Sequence, residues 1–150
     1  MDSVEVRRTI AASADRIWQA LTDAGALKRC FFGADVRTDW QIGHPITFSG
    51  SYQGKTYEDR GVLTAFEPGR TLSFTHWSPL SGKPDTPEHR HTVTIRLEPR
   101  GSATQVTLVQ ENLDGASAEH LRKNWSVVLE VLATVTEGDS RDASPPPAGS

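Results

Sequence analysis

The hydrophobic pattern changes period three times along the chain. Val4-Glu5-Val6-Arg7-Arg8-Thr9-Ile10 is dominated by β-branched residues and reads as a strand. Helical spacing follows: Ser13 is placed to cap a helix with Asp15 in its first turn, and Ile17, Ala20, Leu21 and Ala24 recur on one face. Gly25 is expected to interrupt that helix. Ala26 to Phe32 then forms a second short one, with Leu27, Cys30 and Phe31 on a shared face before Gly33 stops it.

From Ala34 to about Leu113 the residues alternate and are punctuated by turns, the pattern of an antiparallel meander. Strands are predicted over 35–40, 45–53, 56–66, 70–77, 89–98 and 103–112. Turn residues bound them at Ile42-Gly43-His44-Pro45, Gln53-Gly54-Lys55, Glu67-Pro68-Gly69-Arg70 and Pro99-Arg100-Gly101-Ser102. Ser78 to Glu88, SPLSGKPDTPE, is longer than a hairpin and is expected to form an extended surface loop. Helical period returns at Ser117–Glu137, where Leu121, Trp125, Val128, Leu132 and Val135 form one stripe. The residues after it, 138–150, combine three prolines with Gly, Ser and Asp and read as a disordered tail.

This order predicts one α+β domain over 1–137. A curved antiparallel sheet of six to seven strands lies on a long C-terminal helix, with two short helices after the first strand. A twisted sheet of that size leaves space between its concave face and the helix, and ligands favour such concavities.

Strand parity names the residues that face this space. Leu72, Phe74 and His76 share the more apolar face of their strand, His91 leads Val93, Ile95 and Leu97 on another, and Ile46 and Phe48 do the same in the first hairpin. Gln110 falls in line with Val106 and Leu108, where an apolar residue is expected. His76, His91 and Gln110 on an otherwise apolar surface are the few polar groups a pocket uses to orient a ligand, although each also fits a hydrogen-bonded core residue. Trp125 and Leu129 supply the helix side, as core or as pocket wall, and Phe31 and Phe32 a rim.

Other chemistry finds less support. His89 and His91 share a strand face, yet no carboxylate or cysteine stands at ligand spacing beside them, so no metal is expected. Cys30, the single cysteine, lies between Arg29 and Phe31 and reads as a packing residue. Glu58 and Asp59 are adjacent and point to opposite faces, so they are no carboxylate dyad; Glu58 is expected to pair with Arg60 on a solvated face. No phosphate loop, dinucleotide fingerprint or nucleophile elbow occurs, and no cofactor is expected.

Composition narrows the setting. With 150 residues, 36% of them hydrophobic, the chain sustains a core without staples. A net charge of -3 argues against a nucleic-acid binder. No run approaches the ~18 apolar residues of a membrane span, and MDSVEVRR lacks a signal peptide's apolar stretch, which makes the cytoplasm the expected location.

Ala14-Asp15-Arg16-Ile17-Trp18-Gln19-Ala20-Leu21-Thr22-Asp23 resembles the first helix of the SRPBCC, or START-like, superfamily. TDWQIGHPITFSGSYQGKTYEDRGVL, LSFTHWSPLSGKPD and HTVTIRLE resemble its branch of Hsp90-ATPase-activator homologues and calicheamicin-resistance proteins, and Asn124-Trp125 in a long helix also fits. The resemblance runs from about Val4 to Glu137. It implies the helix-grip fold, a curved sheet around the C-terminal helix with an internal cavity. It also implies binding of a small hydrophobic molecule such as a lipid, sterol or polyketide, with cyclisation or dehydration in some members. No catalytic motif is carried over. Eukaryotic activators join this domain to a separate N-terminal one, for which 150 residues leave no room, and this counts against a chaperone partner. Three functions follow. The first is binding of a hydrophobic, ring-containing ligand, the second is an enzyme using His76 as acid or base, and the third is a chaperone-interaction module. A homodimer stays open.

Overall fold

Local signals set the element boundaries in the computed structural model, which describes residues 3–142. β1 (Ser3–Ile10) is followed by α1 (Ala14–Leu21) and α2 (Ala24–Cys30). The Ser13 hydroxyl accepts from the Arg16 N–H at 3.1 Å and the Asp23 carboxylate from the Ala26 N–H at 2.9 Å, so each helix begins at a side-chain cap worth roughly 1 kcal/mol. Gly25 does not interrupt a helix. The break falls at Thr22–Asp23 because Asp23 caps α2, and Gly25 sits in the first turn of that helix.

The meander comprises β2 (Asp35–Arg37), β3 (Pro45–Tyr52), β4 (Lys55–Glu67), β5 (Thr71–His76), β6 (His91–Arg100) and β7 (Ala103–Glu111). β2 is shorter than predicted. β6 begins two residues later than predicted: His89 lies in a 3₁₀ turn, Pro87–His89, so His89 and His91 do not share a strand face. The chain ends in α3 (Ala118–Asp142), so residues 138–142 of the expected tail are helical, and 143–150 lie outside the described residues.

The strands form one antiparallel sheet in the order β1-β7-β6-β5-β4-β3-β2. The first strand therefore pairs with the last, and α1 and α2 carry the chain from one sheet edge to the other. Turn chemistry fixes the β3–β4 register: Gln53 and Gly54 both have positive φ, 50° and 80°, the conformation that a two-residue hairpin favours. Counting outward from that turn sets Phe48 opposite Asp59 and Gly50 opposite Tyr57. Further along β4 a bulge shifts the pairing with β5. There a Cβ on Gly61 would lie 1.7 Å from the Thr75 carbonyl oxygen, so only glycine permits the approach.

The concave face of the sheet is closed by α3, whose Val128, Leu129, Leu132, Ala133 and Val135 are buried in one cluster with Ile10, Leu63, Leu72, Ile95, Val106 and Leu108. Each fully buried Leu or Ile contributes roughly 1.5–3 kcal/mol. β7 alternates as expected, with Thr104, Val106, Leu108 and Gln110 inward.

Candidate site in the cavity between sheet and helix

Register decides which side chains meet. Phe74 on β5 stands opposite Val93 on β6, which stands opposite Gln110 on β7; one step further toward the same end, His76 stands opposite His91. The N-terminal half of α3 crosses this end of the sheet, and between them lies a cavity of about 350 Å³. Phe31, Phe32, Phe48, Phe74, His76, His91, Gln110 and Trp125 all line it. Leu129 does not: it is 2% exposed and packs in the core.

The apolar wall is aromatic. Phe48 packs on Phe74 with ring centroids 5.4 Å apart, and Phe31 meets Phe48 at 5.9 Å and Trp125 at 6.1 Å edge to face. Phe31, Phe48 and Phe74 also border the filled core behind them, so they partition core from cavity. Phe32 is 66% exposed at the rim. Its φ of 55° is left-handed, unusual for a bulky side chain, and Gly33 follows with φ 90°.

The polar groups converge on the same end. The Trp125 indole N–H donates to the Gln110 side-chain oxygen at 2.7 Å, so Gln110 is a satisfied buried residue and a wall residue together. His91 Nδ1 lies 2.7 Å from the Asn112 carbonyl oxygen, which only accepts; Nδ1 therefore carries a proton, and in the neutral ring Nε2 is an acceptor. The His76 and His91 rings stack at 6.1 Å. His76 Nε2 is 2.9 Å from Asp59 Oδ2, a charge-assisted contact that fixes the imidazole.

Asp59 and Tyr57 are the cavity residues that parity reasoning missed. The available signal was the hairpin register: a residue directly opposite inward-facing Phe48 shares its face. Asp59 Oδ1 is buried and no protein group among the described residues donates to it. Burial, and next the Asp59 charge, push the Tyr57 phenol up from its ordinary pKa. The Tyr57 ring lies over Gly50, where an added Cβ would be 2.7 Å from the hydroxyl oxygen.

One further expectation changes and one holds. Glu58 does not pair with Arg60; Arg60 Nε donates to Asp85 Oδ2 at 2.8 Å, because the 78–90 loop folds back over β4. Burial pushes the Cys30 thiol up to about 11, which leaves it an inert packing group. Among the described residues, no three His, Cys, Asp or Glu side chains are grouped to hold a metal ion, and no helix is long and apolar enough to cross a membrane.

Comparison with known proteins agrees with this architecture. No functionally curated protein matches the chain. The solution structure of ChR145 from Cytophaga hutchinsonii is 34% identical, covers 94% of this chain and 97% of its own, and superposes with a TM-score of 0.79. The Aha1 dimer from Colwellia psychrerythraea is 23% identical over 91% of this chain and 97% of its own, with a TM-score of 0.70. CalU16 from Micromonospora echinospora is 22% identical over 93% of this chain and 78% of its own, with a TM-score of 0.68. These two share the fold. Residues 11–137 match the family model for "Activator of Hsp90 ATPase homolog 1-like protein", and the chain belongs to that branch of the SRPBCC superfamily.

Proposed function

We propose that the chain binds a small, apolar, ring-containing molecule in the cavity between β3–β7 and the first half of α3. The observation that carries this reading is the composition of the wall. Four aromatic side chains, Phe31, Phe48, Phe74 and Trp125, face a space of about 350 Å³ that a well-packed core would fill, and the polar groups gather at one end. An apolar cavity of roughly 150 Å³ accepts one benzene ring, so this one suits about two rings. The buried free cysteine fits a reducing compartment, and the cytoplasm is the location proposed with it.

A library of fatty acids, sterols and aromatic polyketides tests the reading by thermal shift. A ligand at about a hundred times its Kd stabilises the native state by roughly 2.7 kcal/mol. For a chain of this length that raises Tm by about 5–10 °C. If no compound moves Tm or quenches tryptophan emission, the cavity is not a binding site.

A second reading, an enzyme acting on such a ligand, rests on the Asp59 carboxylate that holds His76 at 2.9 Å. An imidazole oriented by a carboxylate is suited to proton transfer. His76→Ala should then abolish product formation while leaving ligand binding intact; unchanged turnover would remove the reading. The chaperone and homodimer alternatives take their support from the family's description and from the Colwellia relative, not from the cavity.

A further inference from the structure

Asp59 is a carboxylate that lines an aromatic cavity, with one oxygen on His76 and the other buried with no donor among the described residues. Such an atom costs stability in the free protein, and a side chain that served only to hold His76 would not need to face the cavity wall. Beside it, His91 has Nδ1 committed to the Asn112 carbonyl, which leaves Nε2 as its free ring nitrogen. The Gln110 oxygen is already taken by Trp125. The neighbours of Asp59 on the same sheet face, Phe48 and Phe74, offer only ring faces and edges.

Resting on the cavity reading above, we infer that the ligand is a neutral aromatic alcohol, a phenol of about two rings, whose hydroxyl donates to Asp59. The torsion about the last bond of an aspartate is broad, so a modest turn of the carboxylate brings an oxygen toward a donor in the cavity. A hydroxyl completes the carboxylate's hydrogen bonding and keeps the rings on the aromatic wall. A carboxylic acid brings a second negative charge beside Asp59, and an ether has no proton to give. Selectivity is therefore set by the unpaired acceptor, because a site built to bond a hydroxyl discriminates strongly against the analogue lacking it.

Four probes of one skeleton test this: naphthalene, 2-methoxynaphthalene, 2-naphthol and 2-naphthoate. Titration calorimetry gives the affinities, and the Trp125 indole N–H resonance reports whether each probe enters the cavity. The expected order places 2-naphthol about tenfold tighter than naphthalene and 2-methoxynaphthalene, with 2-naphthoate weakest. Asp59→Leu, which keeps the size and removes the acceptor, should erase the advantage of 2-naphthol and leave it level with naphthalene. Equal affinities in the wild type, or an advantage that survives in Asp59→Leu, overturn the assignment while the cavity reading stands. A fifth probe, 1-naphthylmethylammonium, serves as the cationic control: tighter binding of it than of 2-naphthol also overturns the assignment, since the site would then select a cation. If none of the probes binds, the cavity reading falls too. The wild-type ranking decides alone should the variant fail to fold.

Discussion

The two ends of the one sheet obey different rules. At the end where β1 and β7 pair Ile10 with Thr104, the interior is filled: Ile10 and Thr104 are fully buried, Leu132 and Thr136 of α3 are buried as well, and Trp18 packs edge-on against Phe66 at 5.2 Å. Polar groups there are paired. The Thr104 hydroxyl donates to the Ala12 carbonyl at 2.8 Å, the Thr136 hydroxyl to the Leu132 carbonyl at 2.8 Å, and the Ala11 N–H to the Glu137 carboxylate at 2.8 Å. At the end where β1 and β7 pair Val4 with Gln110, the same sheet and helix enclose a cavity. There a carboxylate oxygen has no donor among the described residues. Local rules that hold at one end and fail at the other mark the failing end as the one shaped for binding.

The contrast breaks most readily along α3, where one substitution can be made at both ends. Leu132→Ala removes a side chain that is 1% exposed and should cost roughly 2–5 kcal/mol. Tm then falls by about 2–4 °C for each kcal/mol. Leu121→Ala truncates a half-buried side chain on the cavity wall and should cost less than about 1 kcal/mol, since the space it leaves joins one already present. Equal losses in urea unfolding would mean that the cavity end is packed as tightly as the other. A smaller effect sharpens the polar side of the comparison: Thr104→Val leaves the Ala12 carbonyl without its donor and should cost about 1–3 kcal/mol. A negligible change would show that water reaches the filled end.

Much of this was legible in the chain, and the limits are physical. Alternation in β7 and the stripe on α3 put Gln110 and Trp125 inward, and both line the cavity. Their mutual hydrogen bond was not legible, because no rule of period gives the angle at which a helix crosses a sheet. His89 was misplaced because Pro87 starts a 3₁₀ turn that delays β6, so period-two reasoning began too early. For Asp59, parity gives a face opposite Glu58 but not what that face meets. Glu58 and Arg60 mark the solvated face of β4, whereas the position of Asp59 follows from the Gln53–Gly54 turn and the pairing with Phe48. The void itself has no sequence signature, since a phenylalanine that faces a cavity and one that faces the core occupy the same kind of strand position.

The smallest effect concerns the 78–90 loop, which joins β5 and β6 at the cavity end and is fastened by charge rather than by packing. Asp85 accepts from Arg60 Nε and Arg90 Nε, each at 2.8 Å, and Asp114 accepts from Lys83 Nζ at 3.0 Å and contacts His89 Nδ1 at 2.9 Å. The Arg90 hydrogen bond foremost holds the Asp85 carboxyl below its ordinary value of 3.8, and the His89 and then the Lys83 hydrogen bonds do the same for Asp114. A folded pKa below the unfolded one means that the fastening is complete above the ordinary aspartate value and is lost as pH falls through the lower, folded value. Protonating Asp114 also weakens the acceptor that Lys83 and His89 share. The loop should therefore loosen in acid while the filled end stays ordered, seen as falling ¹⁵N heteronuclear NOE values for 78–90 with those of Val106 and Leu132 unchanged. Asp85→Asn should reproduce part of that loosening at neutral pH. Loop amides that stay rigid down to about pH 2 would show that the backbone-directed bond from the Trp77 indole to the Lys83 carbonyl, at 3.1 Å, holds the loop without its charges.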